Sequence, residues 1–99
     1  MDEKSNYIGE MKAGIDELLH RVNEFQQCGR DIPKEDREKW RQAMADLDRK
    51  KAAVSFRLAE LYAQSPDSWK HLKGGLEMAV AILADSFRRN ASRFGRCFR

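Results

Sequence analysis

The sequence predicts an all-α protein: an antiparallel helical hairpin plus a third amphipathic helix, forming a coiled-coil-like up-down-up bundle that self-associates. Three observations support this prediction. Charged residues make up 35 % and hydrophobic residues 41 % of the 99 residues, a mixture typical of exposed helices and too apolar for a disordered chain. Apolar residues recur with alternating spacings of three and four along most of the chain. The spacing breaks beside the two prolines, which divides the chain into three segments.

Helix one is predicted over residues 5–27. Its apolar residues fall on one narrow stripe at Ile8, Met11, Ile15, Leu18, Val22 and Phe25. The stripe stops at the segment CGRDIP, where Gly29 is expected to adopt a left-handed cap and Pro33 to start the next helix. A tight reversal of the chain is therefore expected after residue 27.

Helix two is predicted over residues 33–64 because the same spacing continues there. The stripe contains Trp40, Met44, Leu47, Val54, Leu58 and Leu61. Lys51 occupies one stripe position, and we expect its long aliphatic stem to carry the ammonium group out to water. Glu35, Asp36 and Glu38 suit the positive N-terminal end of this helix.

The segment AQSPDSWKHLKGG is predicted to be a corner, with helix three over residues 66–93. Inside a continuous helix Pro66 would cost about 3 kcal/mol, whereas it costs little as a first helical residue after a Ser65 cap. A continuous rod that oligomerises through its overhang is the alternative. Gly75 is expected to permit close helix packing. Residues 1–94 then form one domain, and residues 95–99 form a basic tail.

The segment MAVAILA, residues 78–84, is apolar on every side of helix three, although a three-helix bundle requires only one apolar stripe. We therefore expect a second covered surface. The predicted core contains Trp40, Met44, Leu47, Leu76, Val80 and Leu83. The predicted interface residues are Trp69, Met78, Ile82 and Phe87.

Charge is graded along the chain. The formal net charge is −3 over residues 1–32, +2 over residues 33–65 and +4 over residues 66–99. A basic patch closes the sequence with Arg88, Arg89, Arg93, Arg96 and Arg99. These arginines either form a solvated tail that complements the negative end of the helix dipole, or attract phosphate on an anionic membrane or a nucleic acid.

No residue pattern predicts catalysis, a cofactor or a metal. His20 shares a helix face with Glu17 and Glu24, but one imidazole is too few for a stable zinc site. Neither histidine has a nucleophile and a carboxylate at triad spacing, and KGGLE lacks the Lys-Ser/Thr of a phosphate-binding loop. Cys28 and Cys97 are expected to be thiols, although the up-down-up order places both at one pole, where oxidation could pair them.

A resemblance to a known family extends over residues 69–94. The pattern Trp69-x-x-Leu72-Lys73-x-Gly75-x-Glu77-x-Ala79, with Leu83, Phe87 and a terminal Ala91-Ser92-Arg93-Phe94, resembles the final helix of small uncharacterised bacterial coiled-coil proteins. This chain has Val80 where an aromatic residue is usual in that family. The resemblance implies a helical fold and transfers no activity.

Two functions are consistent with these patterns. The first is a non-enzymatic structural or interaction protein that forms a homo-oligomer, with a dimer favoured. The second is a peripheral module that places helix three and the arginines on an anionic membrane, or on nucleic acid with Phe94 and Phe98 as stacking groups. Because the N-terminal segment contains no apolar run, a cytoplasmic location is expected.

Overall fold

The computed structural model describes residues 3–94, with the side chains of Arg30 and Asp31 left aside. It contains three α-helices: α1 (Glu3–Gln26), α2 (Arg37–Ala63) and α3 (Lys73–Arg93). Short 3-10 helices precede or follow them at Gln27–Asp31, Lys34–Asp36 and Trp69–Leu72. Residues 3–94 contain no β-strand, so the predicted all-α class is confirmed. The molecule is elongated, with dimensions of 52 × 22 × 16 Å.

The core runs along the inside of all three helices and follows a period of seven. Each stripe predicted for α1 and α2 supplies the buried residues of its helix, and α3 with its preceding turn supplies a third row. The buried hydrophobic residues on these rows are Ile8, Ile15, Val22, Phe25, Trp40, Leu47, Val54, Leu61, Trp69, Leu76, Leu83 and Phe87. A seven-residue repeat keeps the apolar side chains of neighbouring helices in register, and this produces the continuous core.

Aromatic contacts define how the helices are oriented. Near the start of α1, the Tyr7 ring lies 5.3 Å from the ring of Trp69, just before α3. Near the end of α1, Phe25 lies 5.0 Å from Trp40 in α2 and 5.8 Å from Phe87 in α3. Helix α1 therefore runs parallel to α3 and antiparallel to α2, as expected for an up-down-up order.

The chain turns between α2 and α3, so a continuous rod is not formed. Helix α2 ends at Ala63, and the backbone N–H of Ser68 donates to the carbonyl of Ser65 at 3.2 Å. The third helix starts later than the predicted residue 66, because Pro66 lies within the turn. Ser65 does not cap a helix, since its hydroxyl bonds to the Ser68 hydroxyl at 2.7 Å.

Lys4, in the first turn of α1, forms hydrogen bonds at the corner between α2 and α3. Its ammonium group donates to the backbone carbonyl of Tyr62 at 3.1 Å and to that of Gln64. The final carbonyls of a helix lack partners within the helix, and they carry partial negative charge. Lys4 therefore stabilises the C-terminal end of α2 and attaches the first turn of α1 to it.

The prediction of a left-handed cap at Gly29 is wrong. No glycine in the described part of the chain has a positive φ, and α1 instead passes into the 3-10 helix. The glycine is needed for space, because a Cβ atom there would lie 2.7 Å from Nε1 of Trp40. Such a separation is too short for a van der Waals contact, so only glycine lets the indole ring approach the backbone here.

Lys51 does not extend to water as predicted. Its ammonium group donates to Asn23 Oδ1 at 3.0 Å and to Gln26 Oε1 at 2.7 Å, both on α1. It also lies 3.4 Å from Asp48 Oδ1. The polar residue in the α2 stripe therefore joins α2 to α1, because polar groups on the facing helix replace the water that the ammonium would otherwise bind.

Gly14 provides a test of the packing around α1. A Cβ atom added at Gly14 would have no heavy atom within 4 Å, and glycine inside a helix is less favourable than alanine by about 1 kcal/mol. We expect Gly14→Ala to raise the free energy of unfolding by about 1 kcal/mol, measured by urea denaturation. Gly29→Ala is the opposite control and should lower it. Destabilisation by Gly14→Ala would show that another surface covers this part of α1.

Candidate functional site

An open groove lies between α2 and α3, and α1 contributes no residue to it. The groove has a volume of about 200 Å³ and is lined by Lys50, Ala53, Arg57, Gly75, Met78, Ala79 and Ile82. Because three of the residues are alanine or glycine, the floor is shallow and apolar. The groove therefore lies on the face of the α2–α3 pair that α1 leaves uncovered.

Met78 and Ile82 stand beside this floor as exposed apolar side chains. Met78 is 65 % exposed and Ile82 is 47 % exposed. They are one helical turn apart on α3, so both side chains lie on the same side of the helix. The structure thus places these two predicted interface residues together on one surface.

The other two predicted interface residues are not available for an interface. Trp69 and Phe87 are buried in the core of the chain. The reason is α1, whose Tyr7 packs on Trp69 and whose Phe25 packs on Phe87. The sequence prediction is wrong for both residues, because periodicity within helix three does not reveal which of its apolar faces α1 covers.

Gly75 is not needed for close helix packing. A Cβ atom added there would lie 3.6 Å from Cδ of Arg57, which is an ordinary van der Waals contact. Alanine would therefore fit without moving the backbone. Because Gly75 has no side chain, it leaves the groove floor open between α2 and α3.

The cations in the groove are neutralised within the chain. The Lys50 ammonium lies 2.6 Å from Asp46 Oδ2, and the Arg57 guanidinium lies 3.0 Å from Glu60 Oε1. A surface that covered the groove would therefore meet mainly apolar atoms and would not need to supply carboxylates. The charge balance of the groove therefore helps to identify which partner surface could cover it.

Sequence reasoning missed a polar cluster farther along the α2–α3 contact. Ser86 is 2 % exposed, and its hydroxyl donates to Asp46 Oδ2 at 3.3 Å. The side-chain amide of Asn90 donates to the carbonyl oxygen of Ser86 at 2.9 Å. The one available signal is Asn90, which occupies the position seven residues after Leu83 where the core period calls for an apolar residue.

Asp46 in this cluster, and Asp48 two residues later on α2, are expected to make the stability of the fold depend on pH. The hydrogen bond from Lys50 holds the pKa of Asp46 below its ordinary value of 3.8, and the amide of Gln26 does the same for the pKa of Asp48. A lowered folded-state pKa stabilises the fold above the unfolded value and loses this effect as pH falls. We expect the urea concentration at the unfolding midpoint to decrease as the pH falls below about 4. The decrease should be smaller for Asp46→Asn, which should be less stable than the unmodified protein at pH 7. An equal acid response of both proteins would contradict this prediction.

The remaining predicted sites are only partly within the described residues. Arg88 and Arg89 share the carboxylate of Asp85 at 3.6 and 3.1 Å, whereas Arg93 lies over the Phe94 ring. Arg96, Arg99, Cys97 and the tail of residues 95–99 lie outside the described part of the chain. The predicted pairing of Cys28 with Cys97 therefore stays a prediction, and the Cys28 thiol lies 3.6 Å from the carbonyl oxygen of Glu24.

Within residues 3–94, no group of three or more histidine, cysteine, aspartate or glutamate side chains is placed to hold a metal ion. His20 Nε2 lies 3.2 Å from Glu24 Oε1 on the surface of α1. No helix in this part of the chain has the length and apolar character needed to cross a membrane.

Comparison with protein-family models, curated proteins and solved structures gives no match. The resemblance of residues 69–94 to a bacterial coiled-coil family therefore stays a prediction that rests on the residues quoted for it.

Proposed function

We propose that this protein is a non-enzymatic helical interaction protein that forms a homodimer through the groove between α2 and α3. The observation that carries the proposal is the pair of exposed side chains, Met78 and Ile82, beside a floor of alanine and glycine. Exposed apolar side chains grouped on one surface are typical of protein interfaces. The physiological role of such a dimer would be structural or organising.

A second copy of the chain suits this surface better than an unrelated partner. A two-fold interface requires a patch that is complementary to itself, with each residue facing its counterpart across the axis. This patch contains both projecting side chains and a hollow, so Met78 and Ile82 of one protomer can pack on the Ala53, Gly75 and Ala79 floor of the other. The α2–α3 pairs of two protomers would then form a four-helix core, with α1 on the outside of each.

The charges also favour a copy of the same chain. Lys50 and Arg57 are paired with Asp46 and Glu60, so the patch brings little net charge into the contact. An acidic partner would gain little from cations that are already neutralised. Two identical, electrically balanced surfaces would also not repel each other.

The membrane alternative has weaker support. It requires Trp69, Met78, Ile82 and Phe87 on one exposed face, but two of these four are buried. The remaining pair is a small apolar surface for insertion between lipid headgroups, because membrane affinity grows with the apolar area buried. The nucleic-acid alternative loses Phe94 as a stacking group for the same reason, since Phe94 is buried.

The proposal is tested by measuring molar mass in solution with light scattering on a size-exclusion column. We expect about 23 kDa, twice the 11.5 kDa of one chain, under reducing conditions. Elution volume alone is inadequate, because an elongated monomer elutes early. A mass of one chain at every concentration would overturn the proposal, and flotation with anionic vesicles would then test the membrane alternative.

A further inference from the structure

A second cleft between α2 and α3 lies next to the groove, toward the C-terminal end of α3. It has a volume of about 280 Å³ and is lined by Asp46, Lys50, Ser86, Arg89, Asn90 and Arg93. Three of these residues are cations and one is a carboxylate, which leaves two positive charges in excess. The proposed dimer contact does not use this cleft, apart from Lys50 at the boundary between the two.

The inner wall of the cleft is held in place by hydrogen bonds. Asp46 accepts from the Lys50 ammonium at 2.6 Å and from the Arg49 guanidinium at 3.0 Å. It also accepts from the buried hydroxyl of Ser86, to which the amide of Asn90 donates. The negative charge of Asp46 is therefore compensated by two cations on its own helix.

The outer wall carries arginines with few carboxylate partners. Arg88 and Arg89 share one carboxylate, that of Asp85. Within residues 3–94 no carboxylate lies at ion-pair distance from Arg93, whose guanidinium carbon lies 5.6 Å from the centre of the Phe94 ring. Among residues 3–94, the Arg93 guanidinium beside the cleft therefore has no carboxylate partner.

We propose that this cleft binds a phosphate group, with Arg93 and Arg89 as its main ligands. A guanidinium group presents paired N–H donors that match the oxygens of phosphate, and the positive excess suits a dianionic phosphomonoester. The negative end of the α3 dipole opposes the binding of an anion here. Its effect is equivalent to about half a charge, less than the excess of two positive charges in the cleft.

The site is tested with inorganic phosphate as the probe. Phosphate replaces chloride at constant ionic strength, while the backbone amide signals of Ser86, Asn90 and Arg93 are followed by NMR. We expect saturable shifts with a Kd of about 1 mM or lower, corresponding to about 4 kcal/mol of binding free energy. Shifts that rise linearly without saturation, or that spread evenly over the surface, would overturn the proposal.

Substitution of the two arginines tests which side chains bind the phosphate. Arg93→Gln and Arg89→Gln should each raise the Kd for phosphate about tenfold, because each removes a charge-assisted hydrogen bond. Arg21→Gln is the matched control: Arg21 is an exposed arginine on α1 that pairs with Glu17 at 3.2 Å, away from the cleft. Unchanged binding by Arg93→Gln, or equal weakening by all three variants, would overturn the assignment. Circular dichroism should show the same helicity for all three variants.

Vesicles distinguish a lipid headgroup from a soluble phosphomonoester. Phosphatidic acid presents a phosphomonoester, whereas phosphatidylglycerol presents a phosphodiester. Binding to phosphatidic acid vesicles alone, lost in Arg93→Gln, identifies the lipid, and phosphate binding without vesicle binding identifies a soluble ligand. Equal binding to both vesicles that survives Arg93→Gln and is lost in Ile82→Glu would overturn the phosphate site. The molar mass measurement is independent of this test, so the dimer and the phosphate site can fail separately.

Discussion

The Ile82→Glu variant is expected to be monomeric at concentrations where the unmodified protein is a dimer. In the proposed dimer Ile82 lies against the apolar floor of the other protomer, and a carboxylate there would be buried without a partner. A charge buried without a partner in an interface costs about 2–4 kcal/mol, which is about 30- to 1,000-fold in Kd. Helicity should be unchanged because Ile82 is exposed in the single chain. Light scattering over a range of concentrations measures the Kd.

Tyr62→Glu is the matched control for Ile82→Glu. Tyr62 is also a large apolar side chain near the surface, 53 % exposed, but it lies beside Lys4, Ile8 and Gly9 on the α1 side of the bundle. The same change of charge there should leave the dimer intact. Dissociation by both variants would indicate a general effect of charge, and dissociation by neither would show that the groove is not the interface.

Trp40→Ala is expected to lower the free energy of unfolding by about 3–5 kcal/mol. The indole ring is almost fully buried, 5.0 Å from the ring of Phe25 and 5.1 Å from that of Phe94. Removing it opens a cavity where all three helices meet near the end of α3. Because small domains are stable by about 5–15 kcal/mol, this one change would remove a large part of the total. Urea denaturation followed by circular dichroism measures it.

The contact between Trp40 and Gly29 can be isolated with a second pair of variants. Gly29→Ala should lower the free energy of unfolding by about 1–3 kcal/mol, because its Cβ collides with the indole ring. Trp40→Phe leaves more space, so Gly29→Ala should be tolerated much better in that background. Additive effects of the two changes would show that the clash at Nε1 is not the reason for glycine at this position.

The core of the bundle could be predicted from the sequence, because a seven-residue period determines which face of a helix is buried. Ile8, Ile15 and Val22 on α1, with Leu47 and Leu61 on α2, lie where the period puts them. The period does not indicate what covers a helix that is apolar on several faces. Trp69 and Phe87 were misassigned for this reason, since their burial depends on where α1 lies.

The polar contacts and the role of Gly29 could not be predicted from the sequence, for a different physical reason. Asp46 and Ser86 are 40 residues apart, and their hydrogen bond depends on the relative position of α2 and α3 along their axes. A shift of one helical turn between these helices would separate the two side chains. The same applies to Gly29, whose role depends on a ring carried by the next helix. Neither of these long-range relationships can be deduced from the local helix or turn propensities of the residues.

The contact of Lys4 with the end of α2 has a consequence for synthesis of the chain. The acceptors of Lys4 on Tyr62 and Gln64 are made 58 and 60 residues after it. At about 5–20 residues per second, the ribosome needs about 3–12 s to make that interval. During that time the first turn of α1 lacks the carbonyls that anchor it. The start of α1 therefore waits for this attachment until synthesis has passed the corner between α2 and α3.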